Sequence, residues 1–325
     1  MKAHNHHPAK RGFTLLELIV AMAITSIIVS ILVSVTSVAL DTFDRSRSEL
    51  RAARQARSMI DSMARDLEAL VVRTGDPNQW LSATTDSAVI GNNLPSTSAA
   101  KLIFFTAATD RYNGNIGSAD DRGGDVSCVA YELRFDDPIE RGADYETFVL
   151  NRLLVDPDKA FVRLLGLTDP TGPSPRTLLD VFTAYNGTLS AAEDLDAGKN
   201  FIAENIYQFT IIFNVELTNT SGAIESVPIS VGLPNADGLT SDNFVEEFKL
   251  YGNKLVVSSA VNGYSISDLE SGKVTSITIA VTALSDFGVA QSRGRSNLGN
   301  NQAKRAEFLD KNSYQYSKTV QIPSR

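Results

Sequence analysis

Residues 18–40 carry no charged side chain, and the residue just before them, Glu17, is a carboxylate. A run of about 20 apolar residues suffices to cross the hydrocarbon core of a bilayer, and this stretch is longer. An anion at the edge of such a segment is costly unless a partner compensates it. The chain therefore sets a carboxylate where a cation from another molecule has to meet it.

Flanking charge gives the span a direction. Lys10 and Arg11 precede it, and Asp41 and Asp44 are the first charges after it. Basic residues stay on the cytoplasmic side, which puts residues 1–12 in the cytoplasm and the part after the span outside. The segment does not read as an ordinary secretory peptide. Its basic site comes before the apolar run and no small-x-small cleavage site closes it, so the span is expected to stay in the mature protein.

No proline falls between Phe13 and Asp76, and Gly75-Asp76-Pro77 supplies a stop. Residues 14–73 are thus predicted as one helix about 90 Å long at 1.5 Å per residue. Past residue 40 it turns amphipathic, with Phe43, Leu50, Ala53, Ala56, Ile60, Met63, Leu67 and Leu70 on one face. Arg45, Arg47, Arg51, Arg54, Arg57, Asp61, Arg65, Asp66 and Glu68 are placed off that face. The arginine run is read as a solvated helix surface, with lipid headgroups or an acidic partner as the alternative. Thr25, Ser26, Ser30, Ser34, Thr36 and Ser37 lie within the span. They suit close helix–helix contact or simply make the span mildly polar.

After Pro77 the pattern shortens to strand length. Residues 101–107, 126–135, 145–155, 206–217, 254–259, 274–284 and 316–322 are rich in β-branched and aromatic side chains. Several alternate apolar and polar, which predicts antiparallel sheet with one covered face. Two long connections remain, 156–200 and 285–313. Short helices are expected at 164–166 and 177–185 in the first and at 302–311 in the second. The expected fold class is α+β: an N-terminal segment (1–12), the transmembrane half of a helix (13–40), its amphipathic half (41–75) and a β-rich head (76–325).

Composition removes several chemistries. The chain has 325 residues and a net charge of −8, which argues against nucleic acid as a main partner. Its three histidines, His4, His6 and His7, all precede Gly12, and its one cysteine is Cys128. In a chain without residues 1–12, Ser-His-Asp and Cys-His catalysis would be gone, as would zinc sites built on His and Cys. Cys128 sits in an apolar run and is expected to be a buried core thiol. Ser271-Gly272-Lys273 lacks the rest of a phosphate-binding loop.

The segment Lys10-Arg11-Gly12-Phe13-Thr14-Leu15-Leu16-Glu17-Leu18 resembles the processing signal of type IV pilins and of the pseudopilins of type II secretion. The resemblance implies cleavage between Gly12 and Phe13 by prepilin peptidase and methylation of the new amino terminus at Phe13. It also implies that Glu17, fifth after the cut, pairs with the terminal amine of a neighbouring subunit during assembly. The implied partners are prepilin peptidase, other pilins or pseudopilins and an inner-membrane assembly platform. The implied location is the inner membrane, with the head in the periplasm or on the cell surface. Major pilins often carry a proline 22 residues after the cut. Here that position is Ser34, so an unbroken helix is expected. Many major pilins also close a loop with a disulfide, which a lone Cys128 cannot do, so the resemblance is to a minor subunit.

The head is similar, more diffusely, to the J-type minor pseudopilin and to PilW-like minor pilins. The similar pieces are Ala64-Arg65-Asp66-Leu67, Leu102-Ile103-Phe104-Phe105, Val129-Ala130-Tyr131-Glu132-Leu133, Phe148-Val149-Leu150-Asn151-Arg152, Ile206-Tyr207-Gln208-Phe209 and Ser276-Ile277-Thr278-Ile279-Ala280-Val281.

Two other readings stay open. The same anchor could carry a binding module such as a pilus-tip adhesin. A membrane-anchored enzyme would need a carboxylate pair such as Asp136-Asp137 or Glu246-Glu247, but neighbours along a strand point to opposite faces and read as surface charges. The expectation is therefore no catalysis and no cofactor. One acidic loop, with Asp110, Asp120, Asp121 and Asp125, has oxygen ligands that suit Ca²⁺. Arg111 and Tyr112 break the EF-hand spacing, and a solvated turn is the preferred reading.

Overall fold

The computed structural model describes residues 14–85, 89–91, 94–107, 125–138, 146–168, 176–218, 222–233, 243–295, 298–299 and 301–322, and falls into two compact units, Met1–Ser48 and Glu49–Arg325. The layout is α+β, as expected. In chain order the elements are α1 (Leu15–Glu68), β1 (Gln79–Thr84), β2 (Val89–Gly91), β3 (Leu94–Ser96), β4 (Lys101–Thr106), β5 (Ser127–Asp136), β6 (Thr147–Val155), α2 (Pro157–Lys159), α3 (Leu178–Asn186), β7 (Phe201–Glu204) and β8 (Ile206–Thr218). They continue with β9 (Ile224–Val231), β10 (Phe244–Val245), β11 (Glu247–Tyr251), β12 (Leu255–Val257), α4 (Ile266–Glu270), β13 (Lys273–Leu284), α5 (Asp286–Arg293), α6 (Gln302–Asn312) and β14 (Ser313–Gln321).

In the first unit, α1 supplies all the described structure, and residues 14–47 are all exposed. No break interrupts α1 at Ser34.

In the second unit, residues 49–68 of α1 bury Ala52, Ala56, Met59, Ile60, Met63, Ala64 and Leu67. Ala56, Ile60, Met63 and Leu67 lie on the expected face, which is corrected only at its start. Leu50 is exposed and Ala53 only half-buried, and Phe43, in the first unit, is also exposed. Where Ala52 and Ala53 are adjacent and equally small, periodicity does not fix which one turns inward. The helix also stops at Glu68 rather than residue 73. The chain is drawn onto β4: Val71 N donates to Phe105 O (2.9 Å), and Ala107 N donates to Ala69 O (2.8 Å). Gly75, at φ 84°, then makes the turn, with its N–H on Gly252 O (2.8 Å).

A seven-stranded sheet has the order β12-β11-β1-β4-β5-β6-β7, and a five-stranded sheet the order β10-β9-β8-β13-β14. The pairings are antiparallel except β9–β10. The sheets and residues 49–68 of α1 share one core, in which Phe213 of β8 stacks on Phe248 of β11 with ring centroids 3.8 Å apart.

The expectation of one covered face fails for the larger sheet. Its second face carries Trp80, Ile103, Phe105, Cys128, Ala130, Leu153 and Val155, and these form a separate core with Leu164, Leu178, Val181, Phe182 and Leu195. The connection 156–200 is therefore a structural cover. Among its helices, α3 opens on a capping box between Thr177 and Asp180. Coverage of both faces explains the unbroken apolar run Leu102-Ile103-Phe104-Phe105 in β4.

Candidate functional site

The start of α1 is a closed local unit. Glu17 Oε2 accepts from Thr14 N (2.9 Å) and Thr14 Oγ1 (3.1 Å), while Thr14 Oγ1 accepts from Glu17 N (3.3 Å). This reciprocal cap fixes the Glu17 carboxylate beside the N-terminal end of the helix, where the backbone dipole favours an anion. The side chains beyond it, such as Leu15, Leu16, Met22 and Ile27, are exposed along the apolar stretch. By length and composition α1 is long and apolar enough to cross a membrane.

Three of the hydroxyls in that stretch turn back on their own helix. Thr25 Oγ1 donates to Ala21 O (2.7 Å), Ser26 Oγ to Ala23 O (2.9 Å) and Thr36 Oγ1 to Leu32 O (2.8 Å). Each donor is satisfied internally, which lets a polar side chain sit in hydrocarbon.

A second constellation lies inside the other unit. Asp66, placed off the apolar face by periodicity, is buried. Its carboxylate takes a fork of hydrogen bonds from Arg152, Nε to Oδ2 (2.8 Å) and Nη2 to Oδ1 (3.1 Å), and a further one from the Tyr131 hydroxyl. Burial first, and then the Asp66 charge, push the Tyr131 phenol well above its usual range. Burial works against the Arg152 charge, but the Asp66 carboxylate and Tyr131 outweigh it and raise the guanidinium. The group joins α1, β5 and β6. A signal for it was present, because Asp66 follows Met59 and Met63 on the same side of the helix.

The other candidates separate. Asp136-Asp137 is not a pair of surface charges: Asp137 is 2% exposed, and its N–H donates to Asp136 Oδ1 (2.8 Å). Glu246 is exposed, and Glu247 pairs with Lys249 (2.6 Å). Cys128 is fully buried, and burial pushes its thiol far up, which leaves it unreactive. Of the arginine run, Arg47, Arg54 and Arg57 are exposed, while Arg51 reaches Glu204 (2.6 Å). Gly12, Phe13, Asp110, Asp120 and Asp121 lie outside the described residues. Asp125 is exposed, and no group of three or more metal-binding side chains occurs among the described residues.

Residues 7–33 match the family described as the prokaryotic N-terminal methylation motif. Gly12, Phe13 and Glu17 all fall within that match. No curated protein and no solved structure matches the chain. The chain thus carries a prepilin-type methylation motif on a long apolar helix, followed by a β-rich unit.

Proposed function

We propose that this protein is a structural, non-catalytic subunit of a pilus-like filament, a minor pilin or pseudopilin. Prepilin peptidase would cut after Gly12 and methylate Phe13, with the apolar part of α1 held in the inner membrane until assembly. The observation that carries the reading is the position of Glu17, a single carboxylate at the head of an otherwise uncharged run and inside the methylation motif. In a packed bundle of such helices the amine of a neighbour's Phe13 supplies the cation it needs. The second unit, built around two cores, suits a packing role on the filament's outside.

The lone, buried Cys128 and the long cover over the larger sheet support a minor rather than a major subunit. The test is the intact mass of the membrane form in cells with and without active prepilin peptidase. The expected result is loss of residues 1–12 and gain of one methyl group only where the peptidase is active. A chain beginning at Met1 in both would overturn the reading.

A further inference from the structure

Among the described residues the two larger sheets end in four edge strands, and three of these are short: β10 has 2 residues, β12 has 3 and β7 has 4. The fourth, β14, has 9. Short edges are how folded proteins avoid pairing with other chains, and a long open edge offers a template for it. Strand β14 pairs with β13 over its whole length. Ile322 N donates to Thr275 O (2.9 Å) and Ser285 N to Asn312 O (2.9 Å), which sets the alternation. Even-numbered residues of β14 exchange hydrogen bonds with β13, so Gln315, Ser317, Thr319 and Gln321 turn N–H and C=O away from it. Among the described residues, no backbone hydrogen bond reaches these four from the outer side, and all four are exposed.

Charge points the same way. A lysine on an edge strand ordinarily discourages pairing. The only charge on β14 is Lys318, and its Nζ is tied to Asp61 on α1 (2.8 Å). The side chains of Ser317 and Thr319 continue a row of hydroxyls across the outer sheet face, where Thr278 Oγ1 lies 2.8 Å from Thr319 Oγ1. That face is uncharged from Gln208 to Asn214 on β8 and from Ser276 to Thr282 on β13. A chain of net charge −8 keeps a neutral sheet face next to the open edge of β14.

We infer that β14 is a docking edge that receives an extended strand from a different filament subunit, one bearing uncharged, hydroxyl- or amide-rich side chains on the side that continues this face. Main-chain hydrogen bonds would supply the attachment and the neutral face would set the register. The inference rests on the filament-subunit reading.

The test uses the full chain in its own host. Ser317→Pro removes an outward N–H and puts a ring on the edge, while the bonds to β13 stay. Ser317→Ala keeps the backbone and serves as control. With membrane levels and melting temperature like wild type, Ser317→Pro is expected to enter filaments about tenfold less or worse, and Ser317→Ala normally. Hydrogen exchange at the amides of Gln315, Ser317, Thr319 and Gln321 is expected to be fast in the detergent-solubilised chain and slowed about tenfold or more in filaments. Wild-type incorporation of Ser317→Pro, or equally fast exchange in filaments, overturns the docking edge and leaves the subunit reading standing. Absence of the wild-type chain from any filament overturns both.

Discussion

Asp66 on α1 and Arg152 on β6 form a bidentate ion pair, 2.8 and 3.1 Å, with both side chains largely removed from solvent. A buried carboxylate without a cation is expensive, and so is the reverse. Asp66→Ala is therefore expected to destabilise the second unit by about 3–5 kcal/mol, because it strands the guanidinium. Chemical denaturation of the full chain in detergent measures it. The double variant Asp66→Leu with Arg152→Met removes both charges and should recover most of the loss. A double variant as unstable as Asp66→Ala alone would show that the pair is not the cause.

Tyr131 makes the same group sensitive to alkali. Burial and the Asp66 charge raise its phenol, so the folded chain holds a proton that the unfolded chain releases near the ordinary tyrosine value of 10.0. The contribution is complete below about pH 10 and declines as pH rises past it. Tyr131→Phe has no proton to lose. Denaturation midpoints measured from pH 8 to 11 should fall less steeply for Tyr131→Phe than for wild type. Equal slopes would assign the alkaline loss to the other tyrosines.

Much of this arrangement was legible in the sequence. The apolar helix and the core strands β4, β5, β8 and β13 follow from periodicity and composition, and α3 and α6 fall within the connections where short helices are expected. The elements that escaped did so for physical reasons. Strand β1 has a polar look, with Gln79, Ser82 and Thr84, yet all of it is buried. Its Gln79 Oε1 accepts from Leu178 N (2.9 Å), a partner 99 residues away that no local pattern reveals. Strand β9 holds Pro228, which ordinarily argues against a sheet interior. It is tolerated because β10 pairs only with Ser230 and Val231, so Pro228 sits at a local edge. Asp66 was misplaced because helical periodicity reads charge as surface, and the partners that compensate its burial, Arg152 and Tyr131, come from distant strands.

The second core predicts that the connection 156–200 is part of the fold rather than a tolerated insertion. Phe182 of α3 is fully buried, and the T-shaped pair Trp80–Phe105 (centroids 5.6 Å apart) lies in the same cluster. Phe182→Ala should cost about 3–5 kcal/mol, the usual loss for a large core aromatic. Limited proteolysis gives an independent measure, with cleavage within 156–200 accelerated relative to wild type. An unchanged midpoint would mean the cover contributes nothing to stability.

Gly252 tests the seam where the chain leaves α1. A Cβ there would overlap the carbonyl oxygens of Arg73 and Asp76, which are backbone and have little room to move. Gly252 also receives the Gly75 N–H on its own carbonyl (2.8 Å). Gly252→Ala is expected to destabilise by about 1–3 kcal/mol through overpacking. Gly263→Ala, at φ 84° with open space around it, isolates the conformational part of such a change. The clash account requires Gly252→Ala to be the worse of the two in thermal melting.

Glu17 has two jobs that can be separated. In the single chain its carboxylate caps α1 through Thr14. In a filament, on the reading proposed above, its charge answers a neighbour's amine. Glu17→Gln keeps an oxygen for the Thr14 N–H but has no charge, whereas Glu17→Ala loses both. If capping were the purpose, Gln would function and Ala would not. If charge pairing is the purpose, both variants should be cleaved and methylated, remain in the membrane, and be depleted from sheared filaments about tenfold or more. Thr14→Ala, which removes half the cap and none of the charge, should assemble far better than either. Immunoblots of filament and membrane fractions, with intact mass as the check on processing, distinguish these outcomes, and normal assembly of Glu17→Gln would remove the electrostatic account of this site.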